Sequence, residues 1–202
     1  IYMNVCHKNK ILFVHVPKSA GTSIAKPLGL TPEHLTQDTI IDTQLKGRNI
    51  SEYYKFCFVR NPWDRFVSLY HYVCDGSEMW NTSSYGKGPH IDFKTFCKVC
   101  RNGCIIANHH VWNVHYNSQL SFINVPAWSE SSKSIDYIGR FENLQEDLNQ
   151  ICKNAGIKPF QVPHKNKTKH KHYTEYYNNE TRQIVAEKYA EDISHFGYKF
   201  GK

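Results

Sequence analysis

Two apolar runs, each giving way at once to a turn and a helix start, constrain this chain more than any other feature. The first, Lys10 to Val16, lies within Ile11-Leu-Phe-Val-His-Val-Pro-Lys-Ser-Ala-Gly-Thr-Ser-Ile24 and is continuous rather than alternating. Rich in β-branched and aromatic residues, such a run predicts a strand buried on both faces. The second, Lys55 to Val59, precedes Asn61-Pro62, an N-cap and first-turn pair that opens a helix to about Tyr72. A third strand is expected over Tyr137 to Phe141. The helix expected after it, Asn143 to Ala155, carries apolar Leu144, Leu148 and Ile151 and stops at Gly156. Asp92 to Arg101 and Asn179 to about His195 complete the expected helices. Strands alternating with helices predict an α/β fold, a central parallel sheet flanked by helices, with ligands bound beyond the carboxyl ends of the strands.

The 202 residues fit a single domain spanning 1–202, with no internal repeat or low-complexity linker. The 25 Lys and Arg against 18 Asp and Glu leave a net charge of +7, which favours anionic partners. No run of about 18 apolar residues exists, so no membrane segment is expected. Seven cysteines is an odd number, so at least one thiol lacks an intramolecular partner. Cys97, Cys100 and Cys104 with His109 and His110 leave a structural zinc or a disulfide open, with unpaired thiols the default.

Both strand–turn–helix segments carry anion chemistry. In Pro17-Lys-Ser-Ala-Gly-Thr-Ser23, small Ser19, Ala20 and Gly21 let backbone N–H groups approach an anion. Thr22 and Ser23 add hydroxyl donors, and Lys18 adds a charge. The lysine precedes the glycine and no paired magnesium ligands follow, so this is not the Walker pattern. An ordinary turn at a strand end is the plain alternative. In Phe56-Cys-Phe-Val-Arg-Asn-Pro-Trp-Asp-Arg-Phe-Val-Ser-Leu-Tyr70, Arg60 stands where a guanidinium can grip phosphate with two prongs. Ser68 follows two helical turns on, and Arg65, one turn before Ser68, is either a neighbour of that site or a structural arginine.

These two segments together resemble the cofactor motifs of the sulfotransferases that use 3′-phosphoadenosine 5′-phosphosulfate, in particular the carbohydrate branch. Tyr137 to Leu148 and Asp192 to Phe200 resemble later segments of that family, while 75–125 matches weakly. The resemblance implies the family's P-loop-like fold and an enzyme transferring a sulfuryl group to an acceptor hydroxyl, on a saccharide that can itself be anionic. It assigns Lys18, Ser19, Ala20, Gly21, Thr22 and Ser23 to the 5′-phosphosulfate, and Arg60 and Ser68 to the 3′-phosphate. Neither a metal nor a nucleic-acid partner is implied, and the product is adenosine 3′,5′-bisphosphate.

Sulfuryl transfer also asks for a proton acceptor, and imidazole suits neutral pH. Among twelve histidines, His34 falls between the two motifs, where related carbohydrate sulfotransferases place a catalytic histidine. His15, the group His109, His110 and His115, with Gln119 nearby, and a carboxylate remain alternatives, while His71 is read as a residue of its helix surface. The basic stretch 163–173 is either a solvated charge run or a flap near the ligand. Two other functions compete: a nucleotide-dependent kinase with a modified phosphate loop, and a non-catalytic module that binds anionic glycan.

Overall fold

A computed structural model describes residues 4–31, 33–74, 91–101, 114–123, 135–163 and 171–202, without the side chains of Gln37 and Asp38. In chain order the elements are β1 (Val5–Cys6), β2 (Ile11–Val14), α1 (Gly21–Ala25), α2 (Gln37–Ile40), β3 (Tyr54–Val59) and α3 (Pro62–Cys74). They continue as α4 (Phe93–Arg101), α5 (Leu120–Ile123), β4 (Tyr137–Arg140), α6 (Leu144–Asn154), α7 (Asn179–Lys188) and α8 (Ala190–Phe196). A 3₁₀ turn, Lys26–Leu28, extends α1, and a π-helical turn, Ile41–Leu45, extends α2.

The sheet runs β1-β2-β3-β4, and its three longer strands are parallel, with Val14 opposite Cys57 and Val59 opposite Arg140. The expected α/β class with a central parallel sheet is therefore observed. One addition is β1, which pairs antiparallel with β2 through Val5–Leu12 and Cys6–Ile11. β2 is shorter than the apolar run, because the Val16 amide turns back onto the Val14 carbonyl at 3.2 Å and ends the ladder. The expected last helix is divided at Tyr189, whose φ of −113° and ψ of 30° leave helical values. Its ring is buried and its hydroxyl donates to the Tyr116 carbonyl at 3.0 Å, so a side-chain anchor coincides with the break.

The chain forms two compact units. The first comprises Ile1–Arg60 and Gln119–Lys167 and holds the sheet. Its core joins Ile11, Phe13, Phe56 and Phe58 from the strands to Ile24 and Leu28 near α1 and to Leu148, Ile151 and Cys152 of α6. Lys55 enters β3 with its ammonium 2.8 Å from Asp136, whose carboxylate also accepts the Lys55 amide at 2.7 Å.

The second unit comprises Asn61–Ser118 and Thr168–Lys202. Trp63, Phe66, Leu69 and Val73 of α3 pack with Phe93 and Phe96 of α4 and with Ile184 and Val185 of α7. Asn61 caps α3 as its composition predicts, its Oδ1 accepting the Trp63 amide at 3.1 Å. Among the described residues no helix is long and apolar enough to cross a membrane.

Candidate functional site

The carboxyl ends of β2 and β3 lie side by side in the first unit because the strands are parallel and in register. From β2 the chain runs through His15 and Pro17 into the loop that carries Lys18, and from β3 it runs directly into Arg60. Lys18 and Ala20 both adopt left-handed backbone, with φ of 66° and 64°. Holding a non-glycine residue there costs of order 1–3 kcal/mol, the kind of strain that gathers at ligand clamps. Ser19, between them, is 1% exposed, and its hydroxyl has no hydrogen-bond partner. A buried donor facing no acceptor in a loop of small residues fits the phosphosulfate assignment, since an anionic oxygen would complete it.

Lys18 and Arg60 bring positive charge to the carboxyl ends of β2 and β3. Burial, and then the neighbouring Arg60 guanidinium, hold the Lys18 ammonium down at about 8. Arg60 is itself buried. Its Nη1 donates to the Lys18 carbonyl at 3.1 Å, and its guanidinium lies 4.0 Å from the centre of the Phe141 ring. The backbone of Arg60 is gripped from both sides by Gln119. Gln119 Oε1 accepts the Arg60 amide at 2.9 Å, and its Nε2 donates to the Arg60 carbonyl at 2.9 Å. Two like charges drawn together and partly desolvated are stabilised by bound anionic groups.

His34 joins this group. Its Nδ1 lies 3.2 Å from the His15 carbonyl, and its ring centroid is 4.2 Å from that of His15. A carbonyl can only accept, so Nδ1 carries the proton and Nε2 presents the lone pair of the neutral ring. Burial lowers the pKa of His34, the bond to the His15 carbonyl opposes that, and the charge of Lys18 lowers it further. The imidazole is thus a neutral base near pH 7. The His15 ring stacks on Phe13 at 5.6 Å and presses on Gly21, where a Cβ would stand 1.9 Å from its Cδ2 and Nε2. Gly21 therefore serves the packing of His15 as well as any close approach of an anion.

Thr22 is exposed and Ser23 half-buried at the start of α1. Ser68 is half-buried on α3 in the second unit. Arg65 is structural: it is buried, and it donates to the carbonyls of His115 at 3.3 Å and Asn117 at 2.7 Å. His71 Nε2 is 2.8 Å from the Tyr176 hydroxyl, and the buried His115 stacks on Tyr72 at 5.0 Å. His109, His110, Cys104 and most of the basic stretch, including Lys165, Lys167 and Lys169, lie outside the described residues. Cys97 and Cys100 are buried free thiols, and no metal-binding cluster occurs among the described residues.

Sequence reasoning did not single out Phe141 under Arg60, and it noted Gln119 only as a neighbour of the histidine group. Phe141 follows Arg140 in the segment already matched to the family, so position held a signal for it. For Gln119 none existed, since its role is a backbone clamp formed across 59 residues.

The sequence profile described as the sulfotransferase family matches residues 2–199. Carbohydrate sulfotransferase 10 of Homo sapiens is 23% identical over 96% of this chain and 66% of its own length, and that of Pongo abelii matches equally. An uncharacterized protein of Archaeoglobus fulgidus is 28% identical over 52% of this chain and 69% of its own. The chain thus spans about two thirds of the length of these curated relatives. No solved structure matches significantly.

Proposed function

The chain belongs to the sulfotransferase family, and we propose that it moves the sulfuryl group of 3′-phosphoadenosine 5′-phosphosulfate to a hydroxyl of a carbohydrate. The observation that carries this is the joining of Lys18 and Arg60 at adjacent strand ends, with the neutral imidazole of His34 beside Lys18. When bound, the donor supplies an activated sulfuryl group on a leaving group that is already a stable phosphate. Lys18, Ser19 and the loop amides hold the 5′ side, and Gly21, Thr22 and Ser23 line the same turn. Arg60, fixed by Gln119 and Phe141, holds the 3′-phosphate. Ser68 enters from its motif alone.

The acceptor hydroxyl forms the new O–S bond as the bond from sulfur to the bridging oxygen breaks. The electron pair stays on that oxygen, where Lys18 meets the growing charge. The hydroxyl proton passes to Nε2 of His34, a transfer that contributes ~10²–10⁴-fold. A saccharide acceptor is favoured by the likeness to carbohydrate sulfotransferase 10. The test is a labelled-sulfate transfer assay over a panel of glycans and small phenols, alongside calorimetry with adenosine 3′,5′-bisphosphate and ATP. Transfer to a glycan with preference for the bisphosphate is expected, whereas no bisphosphate binding, or tighter binding of ATP, overturns the proposal.

A further inference from the structure

Taking His34 as the base of the proposed reaction, we infer that Asn4, a residue outside every motif, is the positioning residue that sets where the His34 imidazole stands. Asn4 is completely buried. Its carboxamide engages both backbone groups of Glu33, the residue before His34. Oδ1 accepts the Glu33 amide at 3.1 Å, and Nδ2 donates to the Glu33 carbonyl at 2.9 Å. The same Nδ2 donates to the Phe13 carbonyl at 3.1 Å, while the Phe13 amide donates to the Asn4 carbonyl at 2.8 Å. One side chain therefore fastens the peptide before His34 to β2, two residues ahead of the His15 carbonyl that fixes Nδ1.

Gln44 closes the arrangement from outside, its Oε1 accepting the Asn4 amide at 2.6 Å and its Nε2 donating to Asn4 Oδ1 at 3.2 Å. The consequence is geometric. The segment that leads from β2 to Lys18 also holds His34, through the Phe13 carbonyl by way of Asn4 and through the His15 carbonyl directly, so the leaving-group side and the base side share one reference. Only a carboxamide serves here. An aspartate keeps the acceptor and loses both donations, and an aliphatic residue leaves the Glu33 amide, the Glu33 carbonyl and the buried Phe13 carbonyl without this partner. Since a misplacement of about 1 Å can cost ~10²-fold in rate, the hold matters for turnover more than for ligand binding.

The test uses the full chain with Asn4→Ala, Gln44→Ala, His34→Ala and the double variant of Asn4 and His34. Imidazole NMR, with the His34 signal identified by its loss in His34→Ala, follows titration and tautomer. Asn4→Ala is expected to lose ~10²-fold in kcat while bisphosphate affinity stays at the parent value. His34 should titrate nearer its ordinary range and lose its preference for a proton on Nδ1. Adding Asn4→Ala to His34→Ala should lower kcat no further. Gln44→Ala, which leaves the carboxamide in place, carries the same readouts in milder form where Asn4→Ala does not fold. Parent titration and tautomer in a folded Asn4→Ala or Gln44→Ala protein overturn the inference. A parent kcat in His34→Ala instead overturns the base assignment, and the NMR readout still decides the positioning.

Discussion

At the scale of single residues, the site is governed by two groups held away from their ordinary protonation. Lys18 titrates at about 8 through burial and the charge of Arg60. A bound anion favours the ammonium and raises that value in the complex, so the sign follows directly. Affinity for adenosine 3′,5′-bisphosphate is full below pH 8 and falls as pH rises through it, approaching tenfold per pH unit until the complex itself titrates. Calorimetry from pH 6.5 to about 9.5 checks this, and an affinity flat across that window removes Lys18 from the anion. Arg60→Ala, besides weakening the ligand, should move the midpoint upward. His34 gives the opposite limb. Its pKa is lowered, so kcat rises with pH through a value below ordinary histidine and then levels. His34→Ala should lose ~10²–10⁴-fold in kcat and its acid limb together.

At the scale of elements, both strand ends depend on contacts made by residues far away in sequence. Gln119 spans the amide and carbonyl of Arg60, so Gln119→Leu, which keeps the volume and removes the bonds, lets the end of β3 drift. With a buried amide and carbonyl left unmatched, a stability loss of ~1–3 kcal/mol is expected, accompanied by weaker bisphosphate binding in calorimetry. Gly21→Ala acts on the other strand end, because the new methyl group meets the His15 ring and through it the ring of His34. Turnover should fall while Arg60 still binds phosphate, a split seen by comparing kcat with bisphosphate affinity.

These elements also show what sequence can and cannot disclose. Continuous apolar runs announced β2 and β3, β4 was expected over Tyr137 to Phe141 without such a run, and the strand–turn–helix pattern announced the loop of Lys18 and the position of Arg60. β1 was invisible, since two residues carry no periodicity. Its neighbour Asn4 was equally hidden, because a buried carboxamide is recognisable only from the backbone groups it meets. The bond from Arg60 to the Lys18 carbonyl escaped for the same reason, as spacing places residues on elements but gives no contact between them.

At the scale of the whole molecule, Lys18, Arg60 and His34 all belong to the first unit, whose core includes Leu148 at 0% exposure. Ligand binding and the folding of that unit are therefore linked. Leu148→Ala removes packing from the buried cluster that also holds Phe13 and Phe58 and should cost ~2–5 kcal/mol. Adenosine 3′,5′-bisphosphate at a hundred times its Kd returns about 2.7 kcal/mol to any state that holds the site. The two effects are of similar size, so a melting transition lowered by Leu148→Ala should recover most of its shift when the bisphosphate is added. Combining Leu148→Ala with Arg60→Ala should abolish the recovery, because the core defect is then no longer offset by the ligand. Scanning calorimetry of the four proteins with and without the bisphosphate decides it. A Leu148→Ala protein whose transition ignores the bisphosphate would mean that the ligand does not bind the folded first unit.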